Sequence, residues 1–96
     1  MTNIYVNQFY CSTDTEANYL RILDWLYDNF EVHNLDGDKH WMYGEFSSKG
    51  MPGKTFEELT KELATDETLY IRIISFEPCG LNLDANVYSN GWWGQF

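Results

Sequence analysis

Three segments of the chain have the pattern of β-strands. The β-branched and aromatic residues of Ile4–Cys11 alternate imperfectly, which predicts a first strand with Ile4 and Val6 on its core side. Leu69–Phe76 is apolar on both faces, as is typical of a strand inside a sheet. Leu81–Ser89 alternates most clearly and predicts one core face and one solvated face. The core face comprises Leu81, Leu83, Ala85 and Val87, and the solvated face comprises Asn82, Asp84, Asn86 and Tyr88.

Two segments have the periodicity of amphipathic helices. Thr13 and Glu16 have the spacing of a capping box, and a helix is predicted for Asp14–Asn29. Its apolar stripe comprises Leu20, Leu23, Leu26, Tyr27 and Phe30. Thr55 and Glu58 repeat the capping-box spacing and predict a second, shorter helix that ends near residue 65. Its apolar face comprises Phe56, Leu59 and Leu63.

Turn-forming residues separate these elements. Asp36-Gly37 suits the positive φ angles of a tight turn, so that Glu31–Phe46 is predicted to be a hairpin. The glycine, proline and serine residues of Ser47–Gly53 indicate a loop. A turn at Asn90-Gly91 precedes an aromatic end of the chain, which we expect to pack back or to contact another molecule.

This order of elements predicts an α+β fold. We expect two helices packed on one face of a four- to five-stranded, mainly antiparallel sheet, in a ferredoxin-like or split βαβ arrangement. The 96 residues are enough for one ordinary domain, and residues 1–96 are interpreted as a single domain. Because aromatic residues make up 18% of the chain, it has enough large side chains to build a core.

The second half of the chain carries three further patterns. In the first pattern, across Glu45–Thr55, Glu45-Phe46 and a following serine lead into a helix start that contains a proline. The second is the helix sequence FEELTKEL. The third is an EPCG turn that joins two strands, the second of which ends in Asn90-Gly91. In these patterns the chain resembles the YubB-like ferredoxin-like family, which occurs mostly in bacterial, plasmid and phage proteins. Glu31–Lys39 is shorter than the family's loop, and IYVNQFYC replaces its Trp- and Cys-rich start. The resemblance implies the fold and no established activity.

The charge of the chain limits its partners. Fifteen acidic residues against six Lys and Arg give a formal charge of −9, which repels nucleic acid and anionic bilayers and attracts a basic protein. The chain has neither an apolar run of membrane-spanning length nor the pattern of a secretory signal, and we therefore expect a cytoplasmic protein. Whether it is a monomer or a homodimer stays open.

Candidate chemistry is sparse, and neither an enzyme nor a cofactor is expected. His33, Asp36, Asp38 and His40 have metal-ligand chemistry but match no zinc or calcium pattern, so a solvated hairpin turn is the better interpretation. Cys11 and Cys79 are expected to be buried free thiols, because they have neither the CxxC spacing of a zinc site nor the density of a disulfide scaffold. Nothing in the sequence brings a base to either, so that no catalytic thiol is expected.

Aromatic residues on the predicted strands suggest a second kind of site. Tyr5, Tyr70 and Trp41 are expected to be exposed and would be able to stack on bases, but such modules also need a basic surface, which this chain lacks. Trp41 and Tyr43 are therefore expected to cap the sheet.

The remaining hypothesis is recognition of another protein. Two acidic groups and three aromatic anchors are the candidate partner-binding residues: Asp24, Asp28 and Glu31 in a line down the first helix, Glu57, Glu58 and Glu62 on the second, and Trp92, Trp93 and Phe96 at the end. Carboxylates in rows imitate a phosphate backbone. The sharper hypothesis is an inhibitor that occupies the basic groove of a nucleic-acid-binding complex, as phage-encoded anti-CRISPR and antirestriction proteins do. A merely solvated surface also explains the charge, and a stand-alone YubB-like domain with a housekeeping or plasmid role is the alternative.

Overall fold

The computed structural model describes residues 4–50, 52–78 and 82–95, and these residues form six strands and two helices. The strands are β1 (Ile4–Ser12), β2 (Glu31–Gly37), β3 (Trp41–Lys49), β4 (Tyr70–Phe76), β5 (Leu83–Ser89) and β6 (Trp92–Gln95). The helices are α1 (Glu16–Asn29) and α2 (Gly53–Glu62). The predicted α+β class with two helices is confirmed. The predicted number of four to five strands is wrong, because the aromatic residues after Asn90-Gly91 pair with β5 as a further strand.

All described strands belong to one sheet, in the order β2-β3-β1-β4-β5-β6, and every neighbouring pair is antiparallel. The two edges of the sheet are therefore β2 and β6. Both helices pack on the same face of the sheet, as predicted, because side chains from α1, α2 and one face of the strands share a single buried cluster. We call this the covered face. No described element lies on the opposite side, which we call the open face.

The core side of β1 differs from the prediction. Tyr5, Asn7, Phe9 and Cys11 face the helices, whereas Ile4 is 48% exposed. The prediction with Ile4 and Val6 inside is wrong because Asn7 is fully buried with its hydrogen bonds satisfied. Its Nδ2 donates to the carbonyl oxygen of Phe46 at 3.1 Å, and its Oδ1 accepts from the hydroxyl of Ser75 at 2.6 Å.

The same inversion occurs in β5. Tyr88 is buried, and Leu83, which was predicted to face the core, is 70% exposed. The register explains the inversion, since residues directly opposite each other in an antiparallel pair share a face. Tyr88 lies opposite Ile71 on the covered face, and Leu83 lies opposite Phe76 on the open face. Leu81, the first residue of the predicted strand, lies outside the described residues.

Neither predicted capping box starts its helix. Thr13 lies two residues before the N-cap Thr15, and its hydroxyl accepts a hydrogen bond from the Thr15 amide and donates one to Asp66. Helix α2 follows the N-cap Pro52, so that Thr55 lies inside the first turn. The predicted start of α2 is therefore wrong, although its apolar residues Phe56, Leu59 and Leu63 are buried as predicted.

The buried side of α1 is rotated from the predicted stripe. Ile22, Trp25 and Leu26 are its buried residues, and Leu20 and Tyr27 are exposed. The indole of Trp25 packs against the ring of Phe56, with 4.7 Å between their centroids, and this contact turns Trp25 rather than Tyr27 toward the core.

The predicted hairpin is present and longer than expected. β3 continues to Lys49, so that Ser47 and Ser48 lie in a strand and not in the predicted loop. Asp36 and Gly37 pair with Tyr43 and Met42, which moves the turn to residues 38–40. The register shifts between Val32 and Asn34, and at this β-bulge a Cβ atom on Gly44 would collide with the carbonyl oxygen of Asn34.

Candidate functional site

The outer surface of the two helices carries most of the predicted partner-binding residues. Asp24 and Asp28 are exposed on α1, and Glu57 and Glu58 are exposed on α2. We call these four residues the acidic helix surface. Glu31 does not continue it, because α1 ends at Asn29 and Phe30 has an extended backbone. The prediction that Glu31 lies on the first helix is therefore wrong, and this residue begins β2.

Glu62 has a partner within the molecule. The guanidinium of Arg21 on α1 donates from Nε at 2.7 Å and from a terminal nitrogen at 3.1 Å to its two carboxylate oxygens. This hydrogen bond lowers the pKa of Glu62 and raises the pKa of Arg21, which the nearby carboxylates of Asp28 and Asp24 raise further. The ion pair links the two helices side by side and places a positive charge beside the acidic helix surface, as the exposed Lys61 of α2 also does.

The three aromatic residues predicted as anchors have different roles. Trp92 is 80% exposed. Trp93 packs into the protein: its ring centroid lies 5.4 Å from that of Tyr88, and its indole nitrogen donates to the hydroxyl of Thr60 at 2.9 Å. The fold therefore uses Trp93 as a packing residue and leaves Trp92 free to contact a partner. Phe96 lies outside the described residues.

The open face displays apolar side chains that nothing in the described part of the chain covers. Ile4, Leu83 and Trp92 are among its most exposed apolar residues. Between them the register aligns Val6, Phe76 and Leu83 on three neighbouring strands, with Ile74 beside Ala85. These apolar side chains are neighbours and form a continuous patch. A single exposed leucine is common on protein surfaces, whereas a continuous apolar patch is typical of a binding surface.

Four aromatic rings occupy one end of the open face, and we call them the aromatic cluster: Tyr10, Trp41, Tyr43 and Tyr70. Trp41 and Tyr43 stack with 5.7 Å between centroids and 11° between planes, and Tyr10 meets Tyr70 edge-on at 5.9 Å. The guanidinium carbon of Arg72 lies 5.3 Å from the centre of the Tyr10 ring. Tyr5, which was predicted to be exposed, is buried on the covered face, and that prediction is wrong.

A groove of about 550 Å³ lies beside the aromatic cluster. Gln8, Asn34, Asp36, Tyr43, Glu45 and Arg72 supply its polar and aromatic walls. Gly44 lines the groove opposite Leu35 of β2, where a Cβ atom would collide with the carbonyl oxygen of Asn34. The groove can offer carboxylates, amides and an exposed ring to a ligand.

The described thiol, that of Cys11, and the two histidines have separate surroundings. Burial raises the pKa of the Cys11 thiol to about 12, and the negative charge of Asp66 adds to this effect, so that Cys11 stays protonated and unreactive. His33 Nε2 contacts the hydroxyl of Ser47, whereas His40 Nδ1 lies 3.3 Å from the carbonyl oxygen of Thr13. Cys79 lies outside the described residues.

In residues 4–50, 52–78 and 82–95, no three His, Cys, Asp or Glu side chains come close enough together to hold a metal ion. Neither of the two described helices has the length and apolarity needed to cross a membrane.

Comparisons with protein-family models, with curated proteins and with solved structures find no match to this chain. The resemblance to the YubB-like family therefore stays a prediction.

Sequence reasoning found part of the open-face site. It named Trp41, Tyr43 and Tyr70, but it missed Tyr10, Arg72 and Glu45. The alternation of buried and exposed residues in β1 and β4 indicates that Tyr10 and Arg72 lie on the face opposite the buried residues. Their contact depends on the pairing of Tyr10 with Arg72 across strands 62 positions apart, and no local pattern encodes that register.

Proposed function

We propose that this chain is a small acidic protein-binding domain. The observation that carries the proposal is the acidic helix surface: Asp24, Asp28, Glu57 and Glu58 are exposed on two helices that pack on the same face of the sheet and are joined by the Arg21–Glu62 ion pair. Carboxylates in this arrangement steer a positively charged protein toward the surface before contact. They repel the phosphates of a nucleic acid for the same reason.

The most concrete form of this function is an inhibitor of a nucleic-acid-binding complex, of the kind that phages and mobile elements encode. Asp24 and Asp28 are four residues apart on α1, and side chains at this spacing lie about 5–6 Å from each other on a helix surface. Regularly spaced carboxylates on a rigid helix occupy a basic groove in the way that a phosphate backbone does. Trp92 on the open face adds an apolar contact, which binding needs because charge alone contributes more to rate than to affinity.

We also propose a ferredoxin-like arrangement for the first six elements. The order β4-β1-β3-β2 within the sheet, with α1 and α2 as crossovers on one face, supports a split βαβ topology. β5 and β6 then form an added hairpin at the β4 side of the sheet. Such a fold by itself assigns no activity.

The alternative function is a stand-alone YubB-like domain that dimerises through an exposed sheet edge. The observation that favours it is that β6 forms one edge of the described sheet and carries the exposed Trp92. Light scattering at increasing protein concentration separates the two functions, because edge pairing predicts a mass that doubles and the inhibitor does not require it.

The acidic helix surface is tested with the immobilised chain and a nuclease-treated bacterial lysate. We expect basic, nucleic-acid-binding proteins to be retained at low salt and released at high salt, and we expect the double variant Asp24→Lys/Asp28→Lys to lose them. The matched control is Asp14→Lys/Glu67→Lys, which makes the same charge change at exposed positions outside both helices. Equal retention by all three proteins would exclude this surface, and release of the retained protein by its own nucleic acid would support mimicry.

A further inference from the structure

Tyr43 on the open face lies between two carboxylates. Its ring is 51% exposed, Asp36 is its direct neighbour across the β2-β3 pair, and Glu45 follows two residues later on the same face. Opposite residues in an antiparallel pair have Cβ atoms about 4.5–5.5 Å apart, which places Asp36 beside the ring. Glu45 lies two residues along the same strand on the same face, roughly 6–7 Å away. The groove beside them is open enough to admit a side chain from another molecule.

The charges of this groove are unbalanced. Asp36 and Glu45 face it together with one cation, Arg72, whose guanidinium already lies over the ring of Tyr10. Within the described part of the chain the one ion pair is Arg21–Glu62, which lies on the helix side of the molecule. An incoming cation would therefore find an exposed aromatic ring flanked by two carboxylates that form no ion pair with a described residue.

The geometry favours a guanidinium over an ammonium or a nucleobase. Tyr10 and Tyr43 are direct register partners, and the protein already holds the guanidinium of Arg72 against the first of these rings. A planar guanidinium stacks on a ring and donates hydrogen bonds in its plane to carboxylates at the same time, which a lysine ammonium does less well. A nucleobase also stacks on tyrosine, but its phosphates would meet Asp36 and Glu45.

We propose that the open-face groove binds an arginine side chain of a basic protein segment, stacked on Tyr43 between Asp36 and Glu45. The proposal rests on the proposed function in one respect, namely that the partner is a basic protein. It adds a second binding surface on the side of the sheet opposite the acidic helix surface. A partner that contacts both surfaces would have to reach around the edge strand β2, or two partner segments would bind independently.

The test is an NMR titration of the full chain with a hexa-arginine peptide, a hexalysine peptide and a short oligothymidylate. We expect the arginine peptide to shift the amide signals of Tyr43, Gly44 and Glu45, and to bind about two- to fivefold more tightly than the lysine peptide, which is the range of an exposed cation–π contact. Tyr43→Ala should remove this preference, whereas Tyr43→Phe should keep it. Glu45→Gln should weaken the binding of both peptides.

The control variant is Asp24→Asn/Asp28→Asn, which lowers the charge of the acidic helix surface and leaves the groove intact. If peptide binding shifts only signals of α1 and α2, or if Tyr43→Ala keeps the preference for arginine, the groove proposal is overturned and the proposed function stands. If neither peptide binds at either surface, both fail. Binding of the oligothymidylate with shifts at Tyr43 would overturn the arginine site in favour of a nucleic-acid site. Thermal unfolding of each variant verifies that it is folded, which we expect because Tyr43 is half-exposed.

Discussion

The two faces of the sheet differ from the usual expectation that polar residues are exposed and apolar residues are buried. The covered face buries three polar residues completely or almost so, namely Asn7, Ser48 and Ser75, while the open face leaves Ile4 and Leu83 largely in solvent. The strands therefore do not orient by the number of apolar residues on each side. They orient by where the largest aromatic side chains pack and by whether the polar groups buried with them find partners.

The buried polar residues satisfy one another. Asn7 Nδ2 donates to Ser48 Oγ at 3.0 Å, Ser75 donates to Asn7 Oδ1, and Ser48 donates to the carbonyl oxygen of Gly50. A saturated network of this kind avoids the desolvation penalty of an unpaired polar atom. The exposed apolar groups of the open face have no such compensation within the described chain, so that a partner would bury apolar surface on this face.

The largest expected effect is the loss of the aromatic centre of the covered face. Phe56 is fully buried and contacts the rings of Phe9, Trp25, Phe30, Phe46 and Trp93. We expect Phe56→Ala to lower the free energy of unfolding by about 3–5 kcal/mol, through lost burial and the cavity that remains. Urea denaturation measures it. A loss below about 1 kcal/mol would mean that the covered face is not the core of the protein in solution.

The second expected effect concerns the polar network. Asn7→Ala removes both hydrogen-bonding atoms of Asn7 and leaves the hydroxyl of Ser75 buried without its acceptor, so that we expect a loss of about 2–3 kcal/mol. The neighbour Val6, which is half-buried on the open face, provides the matched control, and Val6→Ala should cost less than half as much. If both variants lost the same free energy of unfolding, the buried polar network would not distinguish the covered face from the open face.

The third expected effect lies at the rim of the covered side, where Asp66 joins the turn after α2 to the start of α1. Partial burial raises the pKa of Asp66, but hydrogen bonds donated by Thr13, Thr68 and Asn18 outweigh it and lower the pKa to about 2. Because the folded pKa lies below the ordinary value of 3.8, the stabilisation is complete above pH 4 and is lost as the pH falls toward 2.

The corresponding variant is Asp66→Asn. At pH 7 we expect it to be less stable than the natural chain by about 1–2 kcal/mol, a figure reduced for the partial exposure of the side chain. Urea unfolding of both proteins at pH 7, 4, 3 and 2.5 should show the difference shrinking at the two lowest values. A difference that does not change with pH would show that the amide itself disturbs the turn and that the carboxylate charge is not responsible.

The elements of this fold were predictable where a segment's own residues determine them. β4, the hairpin and the apolar face of α2 follow from runs of aromatic and β-branched residues or from a regular spacing of three and four. The phase of β1 was not predictable, because Asn7 is acceptable in the core only through partners on β3 and β4 that are distant in sequence. The first capping box failed for a similar reason, since Thr13 binds Asp66, 53 positions away.

The candidate site divides in the same way. The exposure of Asp24 and Asp28 follows from helical periodicity, but the pairing of Glu62 with Arg21 depends on how the helices lie together. The aromatic cluster needs the register of three strands before Tyr10, Tyr43 and Arg72 become neighbours. Local patterns therefore indicate which residues are available, and long-range pairing decides which of them meet.

The smallest expected effect on stability comes from the open face. Leu83 is 70% exposed and contributes little burial, so that Leu83→Ser should change the free energy of unfolding by less than about 0.5 kcal/mol at low protein concentration. The measurement is urea denaturation at two protein concentrations differing a hundredfold, with light scattering in parallel. If a second copy covered the open face, the natural chain would become more stable at the higher concentration and Leu83→Ser would abolish that gain. A stability independent of concentration in both proteins would leave the open face free for a different partner, because apolar groups that contribute nothing to the fold gain burial only through binding.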